Sequence, residues 1–160
     1  MKKFTLNLKI VFSFTACLTF CVFSGFNSPE ENTVFIQNML TKYYDNDGQN
    51  QEVKRYEINV TNTGFCRYRK VYTNGKEEFF AFNLSRFKAM DYYGTNTKGD
   101  LYLRTKNDDV IIQTRNDSQG EIDSMGTYLV IPLKNIDVAE LNALAENFKR
   151  INQTLLASNK

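Results

Sequence analysis

Short segments in which apolar and polar side chains alternate dominate the chain from Val53 onward, and they constrain its fold more than any other feature. In residues 53–61, Tyr56, Ile58 and Val60 alternate with charged or amide side chains, which is the period of a strand with one buried face. Asn74-Gly75 separates two such segments and is typical of a tight hairpin turn, because both central residues need a positive φ. The sequence predicts seven strands, over residues 53–61, 65–73, 77–84, 86–92, 100–105, 109–115 and 127–133.

Two helices are predicted on either side of these strands. From Asn32 to Tyr44, apolar side chains recur at spacings of three and four residues, which indicates a short amphipathic helix. Asp137 and Glu140 form a capping-box pattern, in which each side chain accepts from the other residue's backbone amide. One apolar stripe follows them, so a helix over residues 137–156 is expected to cover an apolar surface.

The connections between strands are too short for parallel crossovers, so antiparallel pairing is expected. The predicted fold class is α+β and mainly antiparallel β: a small seven-stranded barrel or half-barrel with a short N-terminal helix and an amphipathic C-terminal helix. In the half-barrel alternative, the helices pack on the concave side of the sheet.

The order of these elements resembles the pleckstrin-homology-like fold over roughly residues 53–156, with Phe148 standing where that family usually has a tryptophan. The resemblance implies two orthogonal sheets plugged at one corner by the last helix. It also implies an anion site, because such domains bind phosphoinositide head groups through a lysine on the first strand and a basic-x-basic pair on the second. Lys54, Arg67 and Arg69 match that pattern.

The N-terminus has the pattern of a secretory signal peptide. Three lysines precede an apolar run from Ile10 to Phe23, and small residues follow it. We therefore divide the chain into a signal peptide (1–25), a short helix with a polar loop (26–51) and a single β-rich domain (52–160), secreted or periplasmic. An uncleaved anchor and lipidation at Cys17 are the alternatives, and membrane contact is expected only in those cases.

Charge and composition exclude several classes of function. Loss of the three signal lysines leaves 17 basic against 18 acidic residues (20 − 3 against 18), whereas nucleic-acid binding needs a strongly positive face. The sequence has no histidine, which removes His-based catalysis and His-ligated metals. Asp45-Asn46-Asp47-Gly48 does not fit the register of a calcium loop, so no metal or cofactor is predicted. Cys66 is expected to be a buried, unpaired thiol.

The predicted function is an exported, non-catalytic module that binds an unidentified protein or envelope component. Phe65 and Phe79 belong to the outward faces of their predicted strands, so they join Lys54, Arg67 and Arg69 as candidate binding residues. A carrier that encloses an apolar small molecule is the alternative, suggested by the aromatic surplus. A hydrolase that uses acids alone, among them Asp109, Asp117, Glu121 and Asp123, has less support because no motif points to it.

Overall fold

The computed structural model describes residues 29–47 and 53–158, so the predicted signal peptide lies outside the described residues, as does most of the polar loop. Helix α1 spans Pro29–Tyr43 and helix α2 spans Val138–Ser158. Between them lie β1 (Val53–Val60), β2 (Phe65–Tyr72), β3 (Glu77–Asn83), β4 (Phe87–Gly94), β5 (Lys98–Thr105), β6 (Val110–Arg115), β7 (Asp123–Gly126) and β8 (Tyr128–Lys134).

The eight strands form two antiparallel sheets. One has five strands in the order β1-β2-β3-β6-β7, and the other has three in the order β4-β5-β8. The α+β class and the antiparallel pairing are thus confirmed, but the described strands do not close into one barrel. The predicted count of seven strands is wrong, because the structure has β7 as an additional strand. Residues 123–126 show no alternation of apolar and polar side chains, and this segment forms a strand by pairing with β6.

The chain passes from one sheet to the other at tight corners. A 3-10 turn, Leu84–Arg86, follows β3, and the Asn83 side chain accepts the Ser85 amide at 2.9 Å. The Leu84 amide donates to the Gly64 carbonyl at 2.7 Å, which ties this corner to the β1–β2 turn. Leu84 itself is fully buried, so the corner is anchored in the core.

The core lies between the inner faces of the two sheets and the two helices. Tyr68 and Phe82 from the large sheet, and Leu101 and Ile131 from the small one, are almost completely buried. Helix α2 adds Phe148, whose ring stacks on that of Phe87 at a centroid distance of 5.1 Å. Each such side chain contributes about 1.5–3 kcal/mol when it leaves water, which makes this interior the main source of stability.

Helix α2 begins as the capping-box pattern predicts. The Glu140 amide donates to the Asp137 carboxylate at 2.8 Å, and the Asp137 amide donates to the Glu140 carboxylate at 3.1 Å. The stripe behind the cap places Leu144, Phe148 and Ile151 in the core. The helix boundary is therefore fixed locally, while its apolar face is fixed by the sheets.

Helix α1 covers the exposed edge of β1. The Gln37 side chain donates to the Ile58 carbonyl at 2.8 Å and accepts the Val60 amide at 2.7 Å. These backbone groups belong to the edge strand, and without Gln37 they would be unpaired and able to form hydrogen bonds with another chain. None of the helices in the described ranges is long and apolar enough to span a membrane.

Candidate functional site

The predicted binding residues of β2 and β3 share one surface, the outer face of the five-stranded sheet. Phe65, Arg67 and Arg69 occupy alternate positions of β2, and their neighbours Cys66 and Tyr68 point into the core. On β3, Phe79 is the register partner of Arg69. Alternation along the two strands therefore places these four side chains on the same face, as the sequence predicted.

A surface pocket of about 460 Å³ opens on this face. Its lining includes Arg67, Arg69 and Phe79, three of the five candidate residues, and it also contains Ala81. Ala81 pairs with Arg67 on one side and with Ile111 on the other, so a short side chain stands between two long ones. We attribute the depression in the sheet surface to this difference in length. The complete lining is Glu57, Asn59, Arg67, Tyr68, Arg69, Phe79, Phe80, Ala81 and Gln113.

Lys54 is not part of this site. It lies where the β1–β2 register shifts, between Val53 and Arg55. Arg67 pairs with Asn59, five residues further along β1, so Lys54 is about 17 Å away along the strand. The three cations that the family resemblance implies therefore do not converge on one anion.

Phe65 borders the site without lining it. Its ring lies 5.5 Å from the Arg67 guanidinium, within the range of a cation–π contact. Since Phe65 is next to Arg67 on the same face of β2, it limits where that guanidinium can move.

Arg69 is held by carboxylates on both neighbouring strands. Its guanidinium lies 2.8 Å from Glu77 and 3.3 Å from Glu57, and Glu57 also pairs with Arg55 at 2.7 Å. The hydrogen bond to Glu77, more than any other contact, raises the pKa of Arg69. Its charge is thus already compensated, and its main effect is to fix the pocket wall.

Phe79 forms the aromatic wall of the pocket. The guanidinium of Arg69 lies 5.3 Å from the centre of its ring, and that of Arg115 lies 5.4 Å away. Cations on a ring face are attracted by its quadrupole, so the ring is held in place between two strands.

Arg67 differs from Arg69 in its charged surroundings. Within residues 29–47 and 53–158, no carboxylate lies within ion-pair distance of its guanidinium, which contacts the Phe65 ring. Its register partner on β1 is Asn59, and the pocket lining includes the amide residues Asn59 and Gln113. Gln113 also donates to Asp123 at 3.2 Å. Sequence reasoning missed Asn59, Ala81 and Gln113, although strand alternation places all three on this face.

Asp45 and Cys66, which the sequence also singles out, contribute to the fold. Asp45 is almost fully buried and accepts the Asp47 amide at 3.0 Å in an Asx turn, and Lys98 lies 3.4 Å from its carboxylate. Burial raises the pKa of the Cys66 thiol to about 12, so it is a poor nucleophile at neutral pH. Over the described ranges, no group of three or more potential ligands is placed to hold a metal ion.

The acidic side chains considered for catalysis make local contacts. Asp117 pairs with Lys76 at 2.8 Å, and this partner lowers the pKa of Asp117. Asp109 lies 3.9 Å from Arg86. These contacts fix turns and strand ends. The pocket lining instead includes the Arg67 guanidinium, two amide side chains and the aromatic ring of Phe79.

Comparison of the chain with protein-family models, with curated proteins and with solved structures finds no match.

Proposed function

We propose that the protein is an exported, non-catalytic binding module that engages a protein or envelope component through the pocket on its five-stranded sheet. The pocket itself carries this proposal, because its lining combines Arg67, whose guanidinium has no carboxylate partner among the described residues, with the aromatic side chain of Phe79. The expected ligand group is a carboxylate joined to an apolar or aromatic part. A guanidinium binds a carboxylate with two parallel hydrogen bonds, while Phe79 and Ala81 offer apolar contact.

A single carboxylate fits this site better than a polyphosphate does. A phosphoinositide head group needs several converging cations, but Arg69 is compensated by Glu57 and Glu77, and Lys54 is remote. The pleckstrin-homology-like outline remains part of the proposal, supported by two antiparallel sheets and a C-terminal helix. The proposal does not include the phosphoinositide head-group specificity of that family. Export rests on the signal-peptide pattern alone.

The carrier alternative has less support. It requires a space between the sheets and helices, where the structure instead places large, fully buried side chains such as Tyr68, Phe82 and Phe148. The hydrolase alternative requires two carboxyl groups opposed across a cleft, and Asp117 pairs with Lys76 at a turn.

The chemistry of the pocket can be tested with a small probe. The ¹⁵N-labelled protein is titrated with 3-phenylpropionate and, separately, with the uncharged 3-phenylpropionamide. The acid should shift the backbone amides of Arg67, Phe79, Ala81 and Gln113 to saturation. The amide should bind at least about tenfold more weakly, since hydrogen bonds to charged groups contribute about 1.5–3 kcal/mol.

Two matched variants locate the binding charge. Arg67→Ala should abolish the shifts, whereas Lys54→Ala removes the same charge from an exposed position outside the pocket and should leave them intact. Equal binding of acid and amide, or equal loss in both variants, contradicts the proposal.

A further inference from the structure

A second surface, on the other sheet, carries three tyrosines in contact. Tyr93 on β4, Tyr102 on β5 and Tyr128 on β8 lie on the outer face of the three-stranded sheet, opposite the buried Leu101 and Leu103. Tyr93 is 58% exposed and Tyr128 is 45% exposed. We call these three tyrosines, with Arg104, the tyrosine patch.

The rings of the tyrosine patch are held in fixed positions. Tyr102 meets Tyr93 at a centroid distance of 5.1 Å and Tyr128 at 5.4 Å. The Arg104 guanidinium lies 5.6 Å from the Tyr102 ring and 5.7 Å from the Tyr128 ring. Because each ring is already supported by a neighbour, a ligand that stacks on the patch immobilises little that was free.

Arg104 is itself fixed by Asp91. The two side chains form an ion pair at 2.5 Å, and hydrogen bonds to Asp91 and to Tyr93 raise the pKa of Arg104. Both side chains remain more than a third exposed to solvent. The patch thus presents aromatic faces with hydrogen-bond donors and acceptors beside them.

The charge of this face argues against anionic ligands. Asp91 compensates Arg104, and Asp100, the register partner of Tyr93, adds a negative charge. Lys98 and Lys134, further along the same face, pair with Asp45 and Asp47, so the face carries little net charge. Among the described residues, it presents no cluster of cations that would attract acidic lipids or polyanions, which favours a neutral ligand.

We propose that the tyrosine patch binds neutral oligosaccharides built of pyranose rings. The C–H face of a pyranose is apolar and stacks on the electron-rich face of a tyrosine ring, and the ring edge carries hydroxyl groups that both donate and accept hydrogen bonds. Asp91 accepts from such hydroxyls and Arg104 donates to them. The ring planes of Tyr93 and Tyr102 meet at 85°, and those of Tyr102 and Tyr128 at 43°, so the three rings do not form one flat platform. One sugar of the chain therefore stacks on the exposed ring of Tyr93 or Tyr128, while its neighbour contacts the edge of the next tyrosine.

A protein partner fits this face less well. Among the described residues of β4, β5 and β8, the strongly exposed large apolar side chains are Tyr93 and Tyr128, with no aliphatic one. A dry protein interface buries a continuous apolar centre. Such aliphatic exposure occurs instead on the large sheet, at Ile111 and Met125. The tyrosine patch is separate from the Arg67 pocket, so either proposal can fail alone.

Binding is tested on the protein recovered from its own host, by calorimetric titration with cellohexaose, laminarihexaose, xylohexaose and mannohexaose. At least one should bind with a saturable heat, and Tyr93→Ala or Tyr128→Ala should weaken it about tenfold or more, as expected for an aromatic anchor. Met125→Ala, which removes a comparably exposed side chain from the other sheet, should bind as the unaltered chain does. Each variant's melting temperature is measured in parallel.

Several results would overturn the proposal. Absence of saturable heat with all four hexasaccharides overturns it, as does binding that survives both tyrosine substitutions. Sedimentation supplies two further arms. Tyrosine-dependent binding to phosphatidylcholine vesicles, with no sugar binding, assigns the patch to a membrane surface. Tyrosine-dependent dimerisation, with no sugar binding, assigns it to a second copy of this chain.

Discussion

The buried hydroxyl pair of Tyr44 and Tyr68 gives a quantitative test of how α1 is attached to the large sheet. Tyr44 directly follows α1, Tyr68 lies in the middle of β2, and their hydroxyl oxygens are 2.8 Å apart. Tyr44 is 3% exposed and Tyr68 is 1% exposed. Burial, more than any other factor, raises the pKa of both tyrosines, so the pair is neutral at physiological pH.

Removal of one hydroxyl leaves its partner buried without that hydrogen bond. A buried unsatisfied polar group costs about 1–3 kcal/mol, whereas replacing both partners by apolar groups of the same shape is nearly neutral. Tyr44→Phe and Tyr68→Phe should therefore each lower the free energy of unfolding by about 1–3 kcal/mol. The double variant should lose far less than the sum, and the difference is the coupling energy of the pair.

Urea unfolding, followed by circular dichroism, measures all four corners of this cycle. Tyr56→Phe is the matched control: the Tyr56 ring stacks on that of Tyr44 at 3.5 Å, but its hydroxyl is outside the pair. It should change the free energy of unfolding by less than about 0.5 kcal/mol. Additive losses in the double variant would refute the reasoning, because they mean that the two hydroxyls do not depend on each other.

Three further predictions concern other contacts. Gln37→Ala removes both hydrogen bonds to the edge of β1. At about 0.5–1.5 kcal/mol per bond, it should lower the free energy of unfolding by about 1–3 kcal/mol. A loss below about 0.5 kcal/mol, measured by urea unfolding, would contradict the edge contact. Gly64→Ala should destabilise the protein more than Gly75→Ala does. Both glycines have a positive φ, but only at Gly64 would the new Cβ lie 2.5 Å from a side-chain carbon of Leu155. Equal midpoints of urea unfolding would show that α2 does not pack on this turn. Cys66 should not react with Ellman's reagent until urea unfolds the chain, so Cys66→Ser should leave native thiol reactivity unchanged. Because burial raises the pKa of the Cys66 thiol, the thiol's contribution to stability is complete below the pKa of the unfolded thiol and is lost as the pH rises toward about 12.

Much of the fold could be predicted from the sequence because its signals are local. Period-two alternation places strands, and Asp137 with Glu140 fixes the start of α2, as their reciprocal hydrogen bonds show. Strand β7 could not be predicted in this way, since Asp123–Gly126 has no strand pattern and depends on its ladder with β6. The division into two sheets depends likewise on a distant pairing, that of β3 with β6.

The candidate site was predictable to the same extent. Alternation alone puts Arg67, Arg69 and Phe79 on one face, and the structure brings them together in one pocket. Lys54 was included among the candidate residues because of the family resemblance. Alternation along β1 places it on the opposite face from Glu57, which lines the pocket. The compensation of Arg69 requires the cross-strand register with Glu57, which becomes readable only after the turns have fixed that register.

Site-specific photo-crosslinking in the protein's own host tests the central claim most directly. Benzoylphenylalanine is placed at Gln113, which lines the pocket, or at Asn142, which is exposed on α2. If partners dock on the five-stranded sheet, irradiation should give a discrete crosslinked species from position 113 alone, and adding Arg67→Ala should remove it. Equal crosslinking from both positions, or a product that survives Arg67→Ala, would contradict the account.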